Sequence, residues 1–371
     1  MTIGIPREIK PQEARVAITP SGVFELVQQK ITVLIEENAG LLSGFSNRSY
    51  QNAGAELIPN AKSLYEKSDT IIKVKEPLTE EYQWIKPQHT VFTYFHFASS
   101  RQLTEAMLQS QATCIAYETI KVGNQLPLLV PMSEVAGRLA TQQGAKYLES
   151  PQGGAGILLG GVPGTPPAKV LVLGGGTAGT EAARIAAGMG AQVTILDTNL
   201  DRLRQLNEML PPNVVVLFSS ADQIHKEITQ SHLIIGTVLI PGDKAPKLIT
   251  KKMLSKMKKG TVLVDVAIDQ GGCFETSEPT THKDPIRIVE GIVHYAVTNM
   301  PGAVPQTATA ALTNTTLPYI KQIARHGWKE ACRLNPHLQG GLNLVKGQVL
   351  NKEIAHLFDK KYTPLQEILH F

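Results

Sequence analysis

The chain has 371 residues, of which 42% are apolar, 18% charged and 5% aromatic. This composition excludes disordered and collagen-like proteins, and at roughly 150 residues per domain the length predicts two globular domains. The 36 basic and 32 acidic residues leave a net charge of +4, which is too small and too dispersed to predict nucleic-acid binding.

The three cysteines, Cys114, Cys273 and Cys332, are far apart in the chain. Their spacing predicts neither a disulfide framework nor a zinc site, so we expect reduced thiols and assign no metal. The first residues lack the basic and apolar regions of a secretory signal. Glycine and proline interrupt the longest uncharged stretches, which are therefore not expected to cross a membrane. We expect a soluble, cytoplasmic protein.

Short apolar runs alternate with helical segments in the first third of the chain. Such alternation predicts a mostly parallel sheet with helices on both faces. Two helices are expected, at Ser21–Gln29 and Ser99–Ser110, the first with Ser21 as N-cap and Glu25 near its first turn. The predicted strands are Thr2–Ile5, Thr32–Ile35, Thr70–Lys75, Thr90–Phe95 and Thr113–Tyr117.

A second, clearer series of strands and helices follows a helical segment at Ser133–Ser150 and a loop rich in glycine and proline at Pro151–Pro167. The predicted strands are Lys169–Leu173, Gln192–Asp197, Val214–Phe218, Leu233–Gly236, Thr261–Ala267 and His294–Val297. The predicted helices are Gly179–Gly190, Leu200–Met209, Ala221–Thr229 and Thr250–Met257. This is the element count of a complete doubly wound nucleotide-binding domain. After Thr307 we expect mainly helix.

A glycine-rich turn opens the second series. Gly174, Gly176 and Gly179 form the pattern Gly-x-Gly-x-x-Gly between an apolar strand and a helix. In that position the first glycine permits a tight turn, the second lets the backbone approach a pyrophosphate, and the third allows close contact between helix and strand. The motif predicts a dinucleotide site; the alternative is a glycine turn in a fold that binds no nucleotide.

An acidic residue ends the next predicted strand. Asp197 follows Gly179 by 18 residues, close to the roughly 20 expected for the carboxylate that binds the ribose hydroxyls. Because a carboxylate there repels a 2′-phosphate, NAD is favoured over NADP. Arg202 lies five residues further on, and we expect Asp197 to dominate the choice.

Several polar residues outside the motif are candidates for chemistry. His96 ends a predicted strand, and an imidazole changes charge near neutral pH, although a histidine among aromatic residues more often packs through a hydrogen bond. Lys73 and Lys75 are expected on one strand face. One of them could hold a substrate carboxylate, or both could lie on the solvent face of an edge strand.

Arg15 and Asp269 are two further candidates. Arg15 could offer two parallel hydrogen bonds to a carboxylate, or form a surface ion pair. Asp269 precedes a Gly-Gly turn at a predicted strand end, where it could face a nicotinamide or cap the turn. Asp265 lies inside the strand and is a poorer candidate.

Several motifs taken together resemble the alanine dehydrogenase family, which includes the nucleotide-binding subunit of proton-translocating transhydrogenase. The resemblance extends over almost the whole chain. Besides the glycine turn, the motifs are GIPRE at 4–8, EARVA at 13–17, KVKEP at 73–77, AYET at 116–119, PMSEVAG at 131–137, IDQGG at 268–272 and TNMP at 298–301.

The resemblance implies roles for the candidates. Arg15 and Lys75 would hold the substrate carboxylate and carbonyl oxygen, and His96 and Asp269 would be the acid/base pair. The residues implied to line NAD are Ser133, Gly174, Gly176, Thr177, Ala178, Gly179, Asp197, Arg202, Ser219, Val238, Leu239, Val266, Ala267, Ile268, Asp269, Val297, Thr298, Asn299 and Met300.

The resemblance also implies a fold and a reaction. The fold class is α/β with two domains: a Rossmann-type NAD-binding domain at 129–306, inserted into a discontinuous substrate domain formed by 1–128 and 307–371. The reaction is the NAD-dependent conversion of L-alanine into pyruvate and ammonia, and its reverse, typically by a homohexamer. Glu118 is a conceivable metal ligand, but a lone glutamate more often forms a hydrogen bond.

Three other functions remain open. A transhydrogenase subunit would bind NAD but exchange hydride only with membrane partners. A dehydrogenase of the saccharopine type would need a larger substrate pocket. An NAD sensor without activity would have no need of Arg15, Lys75, His96 and Asp269 together.

Overall fold

The computed structural model describes residues 1–238 and 245–369. In chain order, the strands of these residues are β1 (Thr2–Ile5), β2 (Thr32–Glu36), β3 (Glu56–Ile58), β4 (Thr70–Ile72), β5 (Thr90–Thr93), β6 (Thr113–Ala116), β7 (Lys169–Leu173), β8 (Gln192–Asp197), β9 (Val214–Phe218), β10 (Leu233–Gly236), β11 (Val262–Asp265), β12 (Ile286–Val289), β13 (Ile292–Tyr295), β14 (Leu342–Val345) and β15 (Gln348–Val349).

The helices of the same residues also follow chain order. They are α1 (Pro20–Gln28), α2 (Asn47–Asn52), α3 (Ala61–Lys67), α4 (Thr79–Tyr82), α5 (Arg101–Ser110), α6 (Val130–Tyr147), α7 (Thr177–Gly188), α8 (Leu200–Met209), α9 (Ala221–Ile228), α10 (Lys251–Leu254), α11 (Pro305–Leu334), α12 (Lys352–Leu357) and α13 (Leu365–Leu369). None of the described helices is long and apolar enough to cross a membrane.

The chain forms two compact units. The first, called unit 1 below, comprises residues 1–132 and 304–371, and the second, unit 2, comprises residues 133–303. The domain boundaries expected from the sequence lay at 128/129 and 306/307, whereas the units divide at 132/133 and 303/304. Each unit is built on its own sheet, so the predicted two-domain α/β architecture is confirmed.

Unit 1 contains an eight-stranded sheet in the order β15-β14-β6-β5-β4-β1-β2-β3. The strands from β6 to β3 are parallel, and β14 and β15 add antiparallel pairs at one edge. Successive side chains point into two different apolar cores: Phe92 and Ile115 belong to one, Val91 and Cys114 to the other. The sheet is therefore buried on both faces, as a parallel sheet requires.

Unit 2 contains a seven-stranded sheet in the order β12-β13-β11-β10-β7-β8-β9. All neighbours are parallel except β12, which pairs antiparallel with β13. Without β12, this is the strand order of a doubly wound dinucleotide-binding domain. Its order reverses between β7 and β10, at the glycine turn.

The structure corrects several local expectations. Four short strands at or next to a sheet edge were not predicted: β3, β12, and the pair β14 and β15 in a region where we expected mainly helix. The predicted strand Thr70–Lys75 ends at Ile72, and the one predicted at His294–Val297 lies at Ile292–Tyr295. The N-cap of α1 is Thr19, whose hydroxyl accepts from Gly22 N, and Ser21 lies inside the helix.

Candidate active site

The glycine turn of unit 2 has the geometry that its sequence predicts. Gly174 has a left-handed φ of 100°, which costs glycine no steric energy. A Cβ atom on Gly179 would lie 1.8 Å from the carbonyl oxygen of Gly174, so only glycine lets α7 approach β7 this closely. Gly176 is the N-cap of α7, and among the described residues no side chain caps that first turn. Its N–H groups and helix dipole are suited to an anion.

Asp197 and Arg202 both contact this turn. The carboxylate of Asp197 accepts from Gly175 N at 2.7 Å and from Asn199 N at 2.8 Å. Each carboxylate oxygen accepts more than one hydrogen bond, so ribose hydroxyls can still bind Asp197. Arg202 donates from Nε to Gly175 O at 2.7 Å and from Nη2 to Thr180 Oγ1 at 2.8 Å. Arg202 therefore ties α8 to the glycine turn.

The other residues expected to line a dinucleotide follow the carboxyl ends of strands in unit 2. Ser219 follows β9 and donates its N–H to the Asp197 carbonyl at 2.9 Å, and Val238 follows β10. Because these strands are parallel, their carboxyl ends meet at one edge of the sheet. Val266–Asp269 follow β11, Val297–Met300 follow β13, Thr177 and Ala178 lie in the first turn of α7, and Ser133 lies in α6. Leu239 lies outside the described residues.

Asp269 is exposed in a 3-10 turn, Ile268–Gln270, and its Oδ2 accepts from Asn299 N at 3.4 Å. Backbone hydrogen bonds close the turn, and among the described residues no side chain caps it. The buried carboxylate of Asp265 instead accepts from Cys273 N at 3.0 Å and Phe274 N at 3.2 Å. Burial raises the pKa of Asp265 despite these hydrogen bonds.

Lys247, which the sequence did not suggest as a site residue, also binds the segment that follows Asp269. Lys247 Nζ donates to Gly272 O at 2.9 Å and to Phe274 O at 3.2 Å, and also to Gly271 O. Asp265 and Lys247 together hold the chain that follows Asp269. Because these contacts join residues far apart in sequence, local patterns gave no indication of Lys247.

In unit 1, Arg15 is 2% exposed and forms a two-bond pair with Glu13. Its Nε donates to Oε1 at 2.7 Å and its Nη2 to Oε2 at 2.5 Å, so the interpretation as a surface ion pair is wrong. Although burial opposes it, the hydrogen bond and charge of Glu13 raise the pKa of Arg15. The guanidinium is fixed and permanently charged. Glu13 thus binds the Nε side of the guanidinium, and Nη1 lies 3.0 Å from Met132 Sδ.

Lys75 lies near Arg15 and is partly buried. Burial lowers the pKa of Lys75, and the positive charges of Arg15 and Lys10 lower it further, against weaker opposing effects of Glu13 and Glu76. The cations around Lys75 thus outweigh the carboxylates. An anion bound beside Arg15 and Lys75 would relieve this imbalance.

Lys73 has a different role from Lys75. Its side chain is 0% exposed, and Nζ lies 2.9 Å from Glu81 Oε1 and 3.2 Å from Glu8 Oε2. Burial opposes ionisation, but the two carboxylates prevail and raise the pKa of Lys73. The expectation that Lys73 and Lys75 share the face of one strand is wrong, because β4 ends before both. The edge-strand alternative is also wrong, because β4 is central in the sheet.

Glu8 connects the buried lysine to Lys75. Its Oε1 accepts from Val74 N at 2.6 Å and from Lys75 N at 3.4 Å. Burial raises the pKa of Glu8, although the charge of Lys73 opposes the shift. The group formed by Glu8, Lys73 and Glu81, called the ion cluster below, therefore fixes the backbone that presents Lys75. Glu8 is 65 positions from Lys73 in the sequence, and of the three residues only Lys73 was a candidate from the sequence.

His96 follows β5 in a left-handed conformation, with φ 50° and ψ 43°. Its side chain is exposed, and one ring face stacks on Tyr94 with centroids 5.9 Å apart. Glu118, which follows the adjacent strand β6, accepts from His96 N at 2.6 Å and from Phe95 N at 3.3 Å. Glu118 thus makes the hydrogen bonds that the sequence favoured over metal binding.

Comparison with known proteins finds similar proteins over the whole length of the chain. Two family models match: "Alanine dehydrogenase/PNT, N-terminal domain" at residues 4–136 and "Alanine dehydrogenase/PNT, C-terminal domain" at residues 140–352. A protein named alanine dehydrogenase 2 from Staphylococcus aureus is 51% identical over 372 residues and covers 100% of both chains. An alanine dehydrogenase from Halomonas elongata is 50% identical over 370 residues, again with 100% coverage of both.

Solved structures give the same result. A structure titled L-alanine dehydrogenase superposes with a TM-score of 0.94 at 47% identity, covering 97% of this chain and 99% of that one. A transhydrogenase from Sinorhizobium meliloti shares the fold, with a TM-score of 0.81 at 24% identity and coverage of 95% and 99%. The chain belongs to the alanine dehydrogenase/PNT family.

Proposed function

We propose that the protein is an NAD-dependent L-alanine dehydrogenase. The net reaction converts L-alanine, NAD⁺ and water into pyruvate, NADH, ammonium and one proton, and the reverse is reductive amination. The observation that carries the proposal is the fixed, buried guanidinium of Arg15 with the partly buried Lys75 near it, in a chain whose other unit has a dinucleotide turn. Two proteins named alanine dehydrogenase are 51% and 50% identical to the chain over their full length.

The residues of unit 2 fit NAD. The uncapped first turn of α7 would bind the pyrophosphate, and the carboxylate of Asp197 would accept both ribose hydroxyls. When bound, NAD⁺ supplies the hydride acceptor of the reaction. Asp197 would also disfavour the 2′-phosphate of NADP by charge repulsion. Arg202 is already bound to Gly175 O and Thr180, which reduces its availability to a 2′-phosphate.

The residues of unit 1 fit a small carboxylate substrate. Arg15, fixed by Glu13, would pair with the carboxylate of alanine or pyruvate, and Lys75 would polarise the carbonyl or imine. His96 would take a proton from the water that adds to the imine carbon, and would return it in the reverse reaction. For Asp269, a residue of unit 2, the resemblance implies that it would orient or relay protons when the carbinolamine collapses to pyruvate and ammonia.

Location and assembly complete the proposal. We propose a cytoplasmic homohexamer, as the family resemblance implies. The three cysteines are unpaired and buried, which suits a reducing compartment. The apparent mass of the purified protein in solution tests the hexamer.

The direct test is NADH oxidation by purified protein, with pyruvate and ammonium added together and each omitted in turn. We expect loss of NADH absorbance only when both are present, with alanine as the product. Tight NADH binding without turnover would overturn the assignment as a dehydrogenase. Replacing pyruvate with larger 2-oxo acids then measures how strictly the site selects a methyl side chain, since one methylene changes binding by only about 1–3 kcal/mol.

A further inference from the structure

Glu118 holds the backbone of the residue that the proposed reaction uses for proton transfer. Strands β5 and β6 are adjacent and parallel, with Thr93 paired to Ala116. His96 therefore emerges three residues beyond one paired position and Glu118 two residues beyond the other. The two carboxylate oxygens of Glu118 accept different hydrogen bonds: Oε1 accepts from His96 N and Oε2 from Phe95 N.

His96 needs such support because its backbone is in the left-handed region. A residue with a Cβ atom adopts this conformation at an energetic cost and keeps it where the surroundings enforce it. The carbonyl of His96 accepts from Ser99 N at 2.9 Å and from Ser99 Oγ at 2.8 Å. Glu118 fixes the N–H side of the residue and Ser99 fixes the carbonyl side, while the imidazole is exposed.

We propose that Glu118 is a positioning residue for the reaction, acting through the main chain of His96. Its carboxylate fixes the turn that presents the imidazole, without itself exchanging a proton with substrate. A charged acceptor is suited to this task, because bonds from N–H to a carboxylate are stronger than those to a neutral oxygen. The inference rests on the proposed function, since it assumes that His96 transfers the proton.

The test compares Glu118→Ala and Glu118→Gln in the full chain, with Asp69→Ala as the matched control. Asp69 lies at the amino edge of the same sheet, where its carboxylate accepts from Thr2 N at 2.7 Å. It therefore shares the type of contact but has no connection with His96. The measurements are amide hydrogen exchange at residues 95–96, kcat, the KM of pyruvate, and the Kd of NADH.

Glu118→Ala should accelerate exchange at both amides at least tenfold and lower kcat at least tenfold, with the Kd of NADH within about twofold of the parent. Glu118→Gln keeps one carbonyl oxygen for His96 N, so its kcat should stay within about fivefold of the parent and only Phe95 should exchange faster. Asp69→Ala should accelerate exchange at Thr2 and leave kcat unchanged. If Glu118→Ala fails to fold, the exchange and kcat of Glu118→Gln decide the question.

A double variant separates positioning from general stabilisation. If Glu118 acts through His96, then Glu118→Ala should not lower the residual turnover of His96→Ala any further, whereas independent defects would multiply. Parental exchange at residues 95–96 in Glu118→Ala, a kcat within twofold of the parent, or equal losses in the Ala and Gln variants would overturn the proposal. Amide exchange does not depend on turnover, so a failure of the proposed function itself would be recognised separately.

Discussion

The two sheets share a strand order but use different chemistry at corresponding places. The parallel strands run β3-β2-β1-β4-β5-β6 in unit 1 and β9-β8-β7-β10-β11-β13 in unit 2. Each order reverses beside its first strand, where doubly wound sheets bind ligands. In unit 1 this position contains the ion cluster and Lys75, whereas in unit 2 it contains the glycine turn and the start of α7.

The difference follows from the two anions that we assign to these positions. A pyrophosphate spreads its charge over many oxygens and is matched by backbone N–H groups and a helix dipole. An amino-acid carboxylate is small, and a fixed guanidinium with a nearby ammonium binds it in one orientation. The sheet supplies the position, and the residues after each strand decide which anion fits.

His96→Ala should separate the functions of the two units most clearly, since it should lower turnover and leave NADH binding unchanged. General acid/base catalysis contributes about 10²–10⁴-fold, so we expect kcat to fall by that factor. NADH affinity should remain unchanged, because the residues proposed to bind NAD lie in unit 2. Steady-state rates and NADH fluorescence measure the two effects. His356→Ala, an exposed histidine of α12, is the control, and more than a tenth of the parental kcat in His96→Ala would contradict the role.

Removing the lysine of the ion cluster should have the largest effect on stability. Lys73→Ala leaves the buried carboxylates of Glu8 and Glu81 without their cation, which costs about 3–5 kcal/mol of unfolding free energy. Because burial already raises the pKa of Glu8, acidification neutralises it more readily in the folded state. The loss should therefore be smaller at pH 5 than at pH 8.

Urea unfolding at the two pH values measures this effect. The control is Lys67→Ala, whose exposed ammonium lies 3.7 Å from Glu56 and should change stability by less than about 1 kcal/mol. An equally small change for Lys73→Ala would show that the ion cluster does not stabilise unit 1.

The ion cluster also shows which kind of contact could not be predicted from the sequence. Apolar runs bounded by turn residues predicted β7, β8, β9 and β10 to the residue. β7 and β10 lie inside the sheet, where buried parallel strands are mainly apolar. The short strands β3 and β15 carry too few residues for a pattern. Glu8 and Lys73 are separated by 65 residues, and only the folded sheet shows that they meet.

The site was predictable to a different degree in each unit. In unit 2 the glycine spacing and the strand-final Asp197 carry the geometry in local sequence. In unit 1 the roles of Arg15, Lys75 and His96 were implied by the family resemblance. A single arginine, lysine or histidine can have many different structural or functional roles, so its residue type alone does not predict one. The sequence favoured a hydrogen-bonding role for Glu118 without naming its partner, and the pairing of Glu13 with Arg15 and of Glu118 with His96 became identifiable only through contacts.

For unit 2, Gly179→Ala tests whether NADH binding requires the close approach of α7 to the glycine turn. The new methyl group would overlap the Gly174 carbonyl, so α7 must move away from the turn, at a cost of about 1–3 kcal/mol, and NADH binding should weaken at least tenfold. Calorimetry and NADH titration measure both effects. Gly188→Ala, at the exposed end of the same helix with no atom within 4 Å of the new Cβ, should be neutral or stabilising by up to about 1 kcal/mol. Similar results for both variants would contradict the role of close approach.

A smaller effect is expected from Asp197→Ala. Loss of the carboxylate removes ribose binding and also the acceptor of Gly175 N, so NADH should bind about tenfold more weakly, a change near 1.4 kcal/mol. NADPH should lose less or gain, because the repulsion disappears. Competitive titration of both nucleotides gives the ratio. Asp201→Ala, an exposed carboxylate on α8 paired with Arg204, should leave the ratio unchanged, and an unchanged ratio in Asp197→Ala would reject the ribose assignment.

The smallest expected effect is the pH dependence of pyruvate binding at Arg15 and Lys75 of unit 1. Burial and the charges of Arg15 and Lys10 lower the pKa of Lys75. Lys75 is a cation below that pKa and neutral above it, so the KM of pyruvate should rise as the pH increases through the alkaline range. Lys75→Arg stays charged throughout and should abolish the rise, at the cost of several-fold weaker binding near neutral pH.

Lys10→Met provides the matched test from the neighbouring position. It removes one positive charge near Lys75 and should shift the rise in KM to higher pH without abolishing it. KM of pyruvate measured across the alkaline range in the three proteins decides the assignment. A rise that persists unchanged in Lys75→Arg would place the titrating group elsewhere, and the anion site of unit 1 would then depend on Arg15 alone.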